Sequence, residues 1–123
     1  MASVLDRIHS AVVLLDADAP DFPEAARAVE EFFRKLGIPM RMKAVHRFSL
    51  ILADRNAELF VSLLPSKNWH MALNARLSKA VLKAGRFQLG DEVFDLVVSS
   101  SPDKQFSQTE VFRRMTQIMQ QIS

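Results

Sequence analysis

The sequence has no cysteine and no tyrosine, one tryptophan and only three glycines in 123 residues. Without cysteine, disulfides and thiolate metal sites are excluded and no redox compartment is implied. With glycine confined to positions 37, 85 and 90, no glycine-rich loop can cradle a phosphate, and no Gly-x-Ser-x-Gly elbow marks a hydrolase nucleophile. Long apolar runs are missing too. The longest, "AVVLL" at 11–15, is far short of the roughly 20 residues that span a bilayer. The opening "MASVLDRIHS" lacks both the basic start and the apolar stretch of a secretory signal, so the expected location is cytoplasmic, with no membrane partner. One sign of charge is absent from a whole segment: no carboxylate side chain occurs between Glu58 and Asp91.

What is present is an ordinary globular composition, 49% hydrophobic and 24% charged. The length suits one domain over residues 1–123, burying about two-thirds of the surface its unfolded chain exposes. The formal charge of +2 is unevenly spread. Residues 1–31 hold two basic and seven acidic side chains, residues 32–90 eleven and two, residues 91–123 three and five. Such separation can orient an encounter with a partner, or let the acidic N-terminal part lie against the basic middle.

Local signals divide the chain. Ser3 and Asp6 form a capping-box pattern ahead of Leu5, Ile8, Val12 and Leu15 at helical spacing, which predicts a helix over 4–15. Asp21 and Glu24 cap a second helix with Pro23 in its first turn. Ala25, Ala26, Val29, Phe32, Phe33 and Leu36 line its inner face, and Gly37 stops it. Phe48, Leu50 and Leu52 alternate with Arg47, Ser49 and Ile51 as in a strand, and 59–64 returns as its hairpin partner. Residues 40–45 read as a further strand or the first half of a bent one. A third helix is expected at about 67–84, ending at Gly85, then a hairpin over 86–99 around Gly90-Asp91. Ser107 and Glu110 open a last helix with Val111, Met115, Ile118 and Ile122 on one stripe. The order α-α-β-β(-β)-α-β-β-α makes the expected fold α+β, an antiparallel sheet of four to five strands packed by amphipathic helices.

With "LSKAVLKAGRFQLGDEVFDLVVSS" and "FSQTEVFRRMTQIMQQI", this order resembles the type III secretion effector-chaperone fold and the related YbjN-like family over roughly residues 21–122. The resemblance implies a non-enzymatic homodimer that binds an extended segment of another protein. It supplies no site residues, and the basic middle of the chain departs from the acidic character usual in effector chaperones.

"AVVLLDADAP" is the one stretch that suggests an enzyme. An apolar run before Asp-x-Asp resembles haloacid-dehalogenase-type phosphatases, in which one carboxylate is the nucleophile and the second an acid/base. That chemistry needs both carboxylates at the carboxyl edge of a parallel sheet, with Mg²⁺ ligands and a lysine supplied downstream. Pro20 stands where threonine or glycine is usual, no parallel sheet is expected, and the chain is short for that fold. Asp16 and Asp18 therefore read as turn residues, and an Asp-dependent phosphohydrolase is kept only as a remote alternative. His9, His46 and His70 show no metal-ligand spacing. No catalytic residue, metal or cofactor is assigned, and no enzyme is expected.

The interaction signal is stronger. Arg76, Lys79 and Lys83 fall at i, i+3 and i+7 of the expected third helix, with Lys67 before it and Arg86 after it. Trp69, Leu73, Leu77, Ala80 and Ala84 form an apolar stripe on another face. A solvated helix usually mixes signs, so this one favours an anionic partner. Arg41 and Lys43 extend the basic surface. Met40 and Met42 flank Arg41 and suit adaptable contacts at an open edge, and Val93, Phe94, Phe106 and Phe112 exceed what one side of a small sheet needs, which makes all six candidates for an apolar interface. The functional expectation is a chaperone-like or adaptor-like protein-binding module, homodimeric, that joins an apolar groove or sheet edge to basic side chains selecting an acidic partner. The alternative is a small nucleic-acid-binding protein using the 67–86 helix, weakened by the lack of aromatics interleaved for base stacking.

Overall fold

A computed structural model describes residues 3–46, 55–65, 69–86, 93–98 and 107–122, with the backbone alone at 69 and 70. The Ser3–Asp6 capping box forms as the spacing implies. The Ser3 hydroxyl accepts from the Leu5 amide at 3.2 Å, and the Asp6 carboxylate accepts from the Ser3 amide at 3.0 Å. It caps only a single 3₁₀ turn, Val4–Arg7. The helix expected over 4–15 is not there: Ala11–Asp16 is a strand, β1, buried at every position but the last. A run of alanine, valine and leucine with no polar side suits a strand covered on both faces better than a helix with one wet face.

Helix α1, Phe22–Leu36, follows with Pro23 in its first turn and Ala25, Val29 and Phe33 buried. Gly37 ends it in the left-handed region at φ 68°, its amide donating to the Arg34 carbonyl at 3.1 Å. Then come β2 (Met40–Val45), β3 (Leu59–Ser62), α2 (Trp69–Leu77), β4 (Leu82–Gly85), β5 (Leu96–Val97) and α3 (Gln108–Gln121). The Ser107 hydroxyl caps α3 by accepting from the Glu110 amide at 3.2 Å.

Strand order is β2-β1-β3-β4-β5, and every neighbouring pair is parallel. The expected antiparallel sheet is thereby overturned. A hairpin over 40–64 would have set β2 beside β3, but β1 lies between them; β5, within the hairpin expected over 86–99, pairs in parallel with β4, a segment expected to be helical. Strands buried along their whole length, as β1 and β3 nearly are, belong to sheets covered on both sides, where parallel pairing is the rule. The helix expected to reach residue 84 stops at Leu77. Alanine, lysine and leucine at 80–84 favour helix on their own. Pairing with β3 wins, because it buries Leu82 and Ala84 beside Leu59 and Val61. The strand expected through Phe48–Leu52 and the Gly90-Asp91 turn lie outside the described residues. Of the expected element order, the first helix is replaced by β1, and the strands run parallel where hairpins were expected.

Two apolar layers sandwich the sheet. On one face Val13, Leu15, Val61 and Leu63 meet Val29 and Phe33 of α1 and Val111, Phe112 and Met115 of α3. On the other, Val12, Leu14 and Phe60 meet Met71 and Ala75 of α2, with Phe94. Helices on both faces of a parallel sheet in this order make a doubly wound arrangement. No described helix is long and apolar enough to cross a membrane.

Candidate functional site

In open parallel sheets, ligands bind outside the carboxyl ends of the strands where the winding reverses. Here that point lies between β1 and β3, because β1 is linked through α1 to β2 on one side and paired with β3 on the other. Asp16 and Asp18 sit at the β1 exit. The carboxyl-edge position that the phosphatase reading required, and that an antiparallel sheet would have denied, therefore exists.

The edge is occupied by the protein's own groups. Gln108, 2% exposed at the start of α3, clamps Asp16 as a paired strand would. Its Oε1 accepts from the Asp16 amide at 3.0 Å, and its Nε2 donates to the Asp16 carbonyl at 2.9 Å. The Asp16 Oδ1 accepts from the Asp18 amide at 3.0 Å, and the Asp18 carboxylate lies 3.1 Å from His46 Nδ1. The Asp21 carboxylate accepts from the Thr109 amide at 2.9 Å and from its hydroxyl at 2.6 Å. Burial raises the Asp21 carboxyl, but the Thr109 hydroxyl and amide, with smaller contributions from the Asp21 amide and Gln108, outweigh it and hold the carboxyl below its ordinary value. Arg86, leaving β4, is half-buried at the same edge. Burial pulls its guanidinium below the ordinary value, opposed by the charges of Asp16 and Asp21. Among the described residues no three histidines, aspartates or glutamates are grouped to hold a metal. His9 lies elsewhere, 3.1 Å from Glu58. The Asp16 carboxylate thus bonds within the turn and the Asp21 carboxylate bonds across the α1–α3 junction.

The other candidate residues scatter. The basic ridge does not form on one helix. Arg76 is exposed on α2 and Lys79 in the link after it, but Lys83 lies in β4 and Arg86 beyond it; Lys67 is outside the described residues. Arg41 and Lys43 are exposed on β2. Of the apolar candidates, Met40 and Met42 pack partly buried against the first layer and Val93 against the second. Phe94 and Phe112 are core residues, 4% and 2% exposed. Phe112 stands edge-on to Phe32 at 5.6 Å and Phe94 lies 6.4 Å from Phe60. The apparent apolar surplus has a plain cause: a sheet covered on two faces needs twice the aromatic and aliphatic volume. Phe106 is outside the described residues.

The inward face of α2 is Met71 and Ala75, and of the stripe expected inside, Leu73 and Leu77 face out, while Ala80 packs on the second layer and Ala84 is buried in β4. Leu73 is 46% exposed and Leu77 42%, with Arg76 between them, and Val81 in the link to β4 is 66% exposed. Sequence spacing missed this because α2 carries apolar residues all round, leaving periodicity with no preferred side. No protein-family model, curated protein or solved structure matches the chain.

Proposed function

We propose that the chain is a protein-binding module whose docking surface is the outer face of α2 and the link that follows it. The observation that carries this reading is the exposure of Leu73, Leu77 and Val81 within nine residues, beside exposed Arg76 and Lys79. Scattered apolar side chains on a surface are ordinary, but three so close together with a cationic rim suit a partner's apolar stripe. The partner's rim is acidic, complementary in charge to the exposed Arg76 and Lys79. An isologous contact between two copies would set Arg76 and Lys79 against themselves, which disfavours a homodimer through this face. The nucleic-acid alternative loses the shared helical ridge on which it depended. The hydrolase alternative gains a parallel sheet but no set of metal ligands among the described residues.

The test is amide chemical-shift mapping with two amphipathic helical peptides that share a leucine stripe, one flanked by glutamate and one by lysine. The glutamate peptide is expected to shift amides from Leu73 to Val81 and to lose its effect on Leu73→Asp plus Leu77→Asp, a variant that keeps the parent circular dichroism. Equal response to the two peptides, or shifts centred away from α2, would overturn the reading.

A further inference from the structure

A second surface follows from the hydrogen-bond parity of β2. Among the described residues β2 is an edge of the sheet, paired only with β1. The Ala11 amide donates to the Pro39 carbonyl at 3.0 Å and the Ala17 amide to the Val45 carbonyl at 2.9 Å. In a parallel ladder the amide and carbonyl of one residue point the same way, and successive residues alternate. Residues 39, 41, 43 and 45 thus turn their backbone toward β1, and Met40, Met42 and Ala44 turn theirs outward. Side chains alternate as well. Met40 and Met42 pack on the α1 side, while Arg41 and Lys43 are exposed on the side where Val45 joins the other layer. Between α1 and the start of β2 runs a groove of about 510 Å³ with Phe33, Ile38 and Met40 as its apolar lining and Arg27, Glu30, Glu31 and Arg34 as its charged lining.

We propose that this edge accepts an extended, acidic segment of another protein as a sixth strand. Met40, Met42 and Ala44 supply the backbone donors and acceptors, the groove takes the apolar side chains of the segment, and Arg41 and Lys43 face its carboxylates. Main-chain pairing gives such an addition its affinity, and the alternate side chains give it selectivity. A second copy is the wrong occupant. Pairing β2 with another β2 brings Arg41 and Lys43 against like charges, and cationic side chains on an edge are a known guard against self-association. The pair that repels a copy attracts an acidic strand.

Amide hydrogen exchange on the ¹⁵N-labelled full chain tests this, with a short capped peptide of alternating valine and glutamate as probe and its valine/lysine counterpart as control. Without peptide, the Met42 and Ala44 amides exchange fast and the Arg41 and Lys43 amides slowly. The glutamate peptide slows Met42 and Ala44; the lysine peptide does not. Ala44→Pro, whose missing N–H points away from β1, abolishes that protection and leaves Arg41 and Lys43 slow. Arg41→Glu plus Lys43→Glu reverses the preference by about tenfold, and this swap decides the matter should the proline variant fail to fold. Edge amides already protected in dilute protein, equal protection by both peptides, or none from either would overturn the proposal. All readout amides lie on β2, so the result is independent of the α2 surface.

Discussion

Asp21 stands at the N-cap of α1 but makes no side-chain cap there; its carboxylate instead takes the amide and hydroxyl of Thr109, 88 positions on. Position in the chain suggested the capping role, and nothing local could reveal the long-range one. Removing the acceptor leaves the Thr109 groups to be satisfied otherwise, so Asp21→Ala is expected to cost about 1–3 kcal/mol in urea denaturation at neutral pH. The folded state lowers the Asp21 carboxyl from 3.8. A lowered carboxyl contributes stability above its unfolded value and loses it as pH falls through the folded one. The acid limb of a melting-temperature profile should therefore flatten below about pH 4 in Asp21→Asn. An unchanged limb would remove Asp21 from the account. Gly85 offers a second case. Read from sequence it is a helix stop, but in the fold a Cβ there would lie 2.7–2.9 Å from ring carbons of Phe94, itself 4% exposed. Gly85→Ala should cost about 1–3 kcal/mol by overpacking, and Phe94→Leu added to it should recover part of that in the same denaturation experiment.

Among elements, α1, β2 and α3 were legible because each carries its own boundary signals. Gly37 stops α1 and Ser107 opens α3, while residues 40–43 alternate apolar and basic side chains. β1 and β4 were misread for opposite reasons. A continuous apolar run such as 11–15 fits a buried strand and a helix equally well by periodicity, and the real capping box beside it tipped the choice. The "VLKAG" stretch prefers helix locally and becomes a strand only because β3 lies ready to pair with it. α2 was found, but Met71 and Ala75 take the buried place expected of Leu73 and Leu77. This exchange has a direct consequence for stability. Leu14, fully buried in β1, should cost about 2–5 kcal/mol when cut to alanine, whereas Leu73 should cost less than about 0.5 kcal/mol. Reversal of that order in thermal or urea denaturation would mean that α2 packs through Leu73 after all.

At the scale of the whole molecule, the balance of helix and sheet was readable and the direction of the strands was not. Direction depends on which strands become neighbours, a choice made by the burial of both sheet faces and invisible to any window of sequence. The candidate site divided in the same way. Exposed Arg76, Lys79, Arg41 and Lys43 were identified as available charge, while the Asp16–Gln108 and Asp21–Thr109 junctions join chain segments 92 and 88 positions apart. All surface assignments made above rest on β1 lying between β2 and β3 with all three running one way. Interstrand nuclear Overhauser contacts of the Val13 amide and α protons measure this most directly. The account predicts contacts to the backbone around Met42 on one side and around Val61 on the other, both advancing in step along the three strands. Close α-proton pairs between β2 and β3, the mark of an antiparallel hairpin, would contradict it.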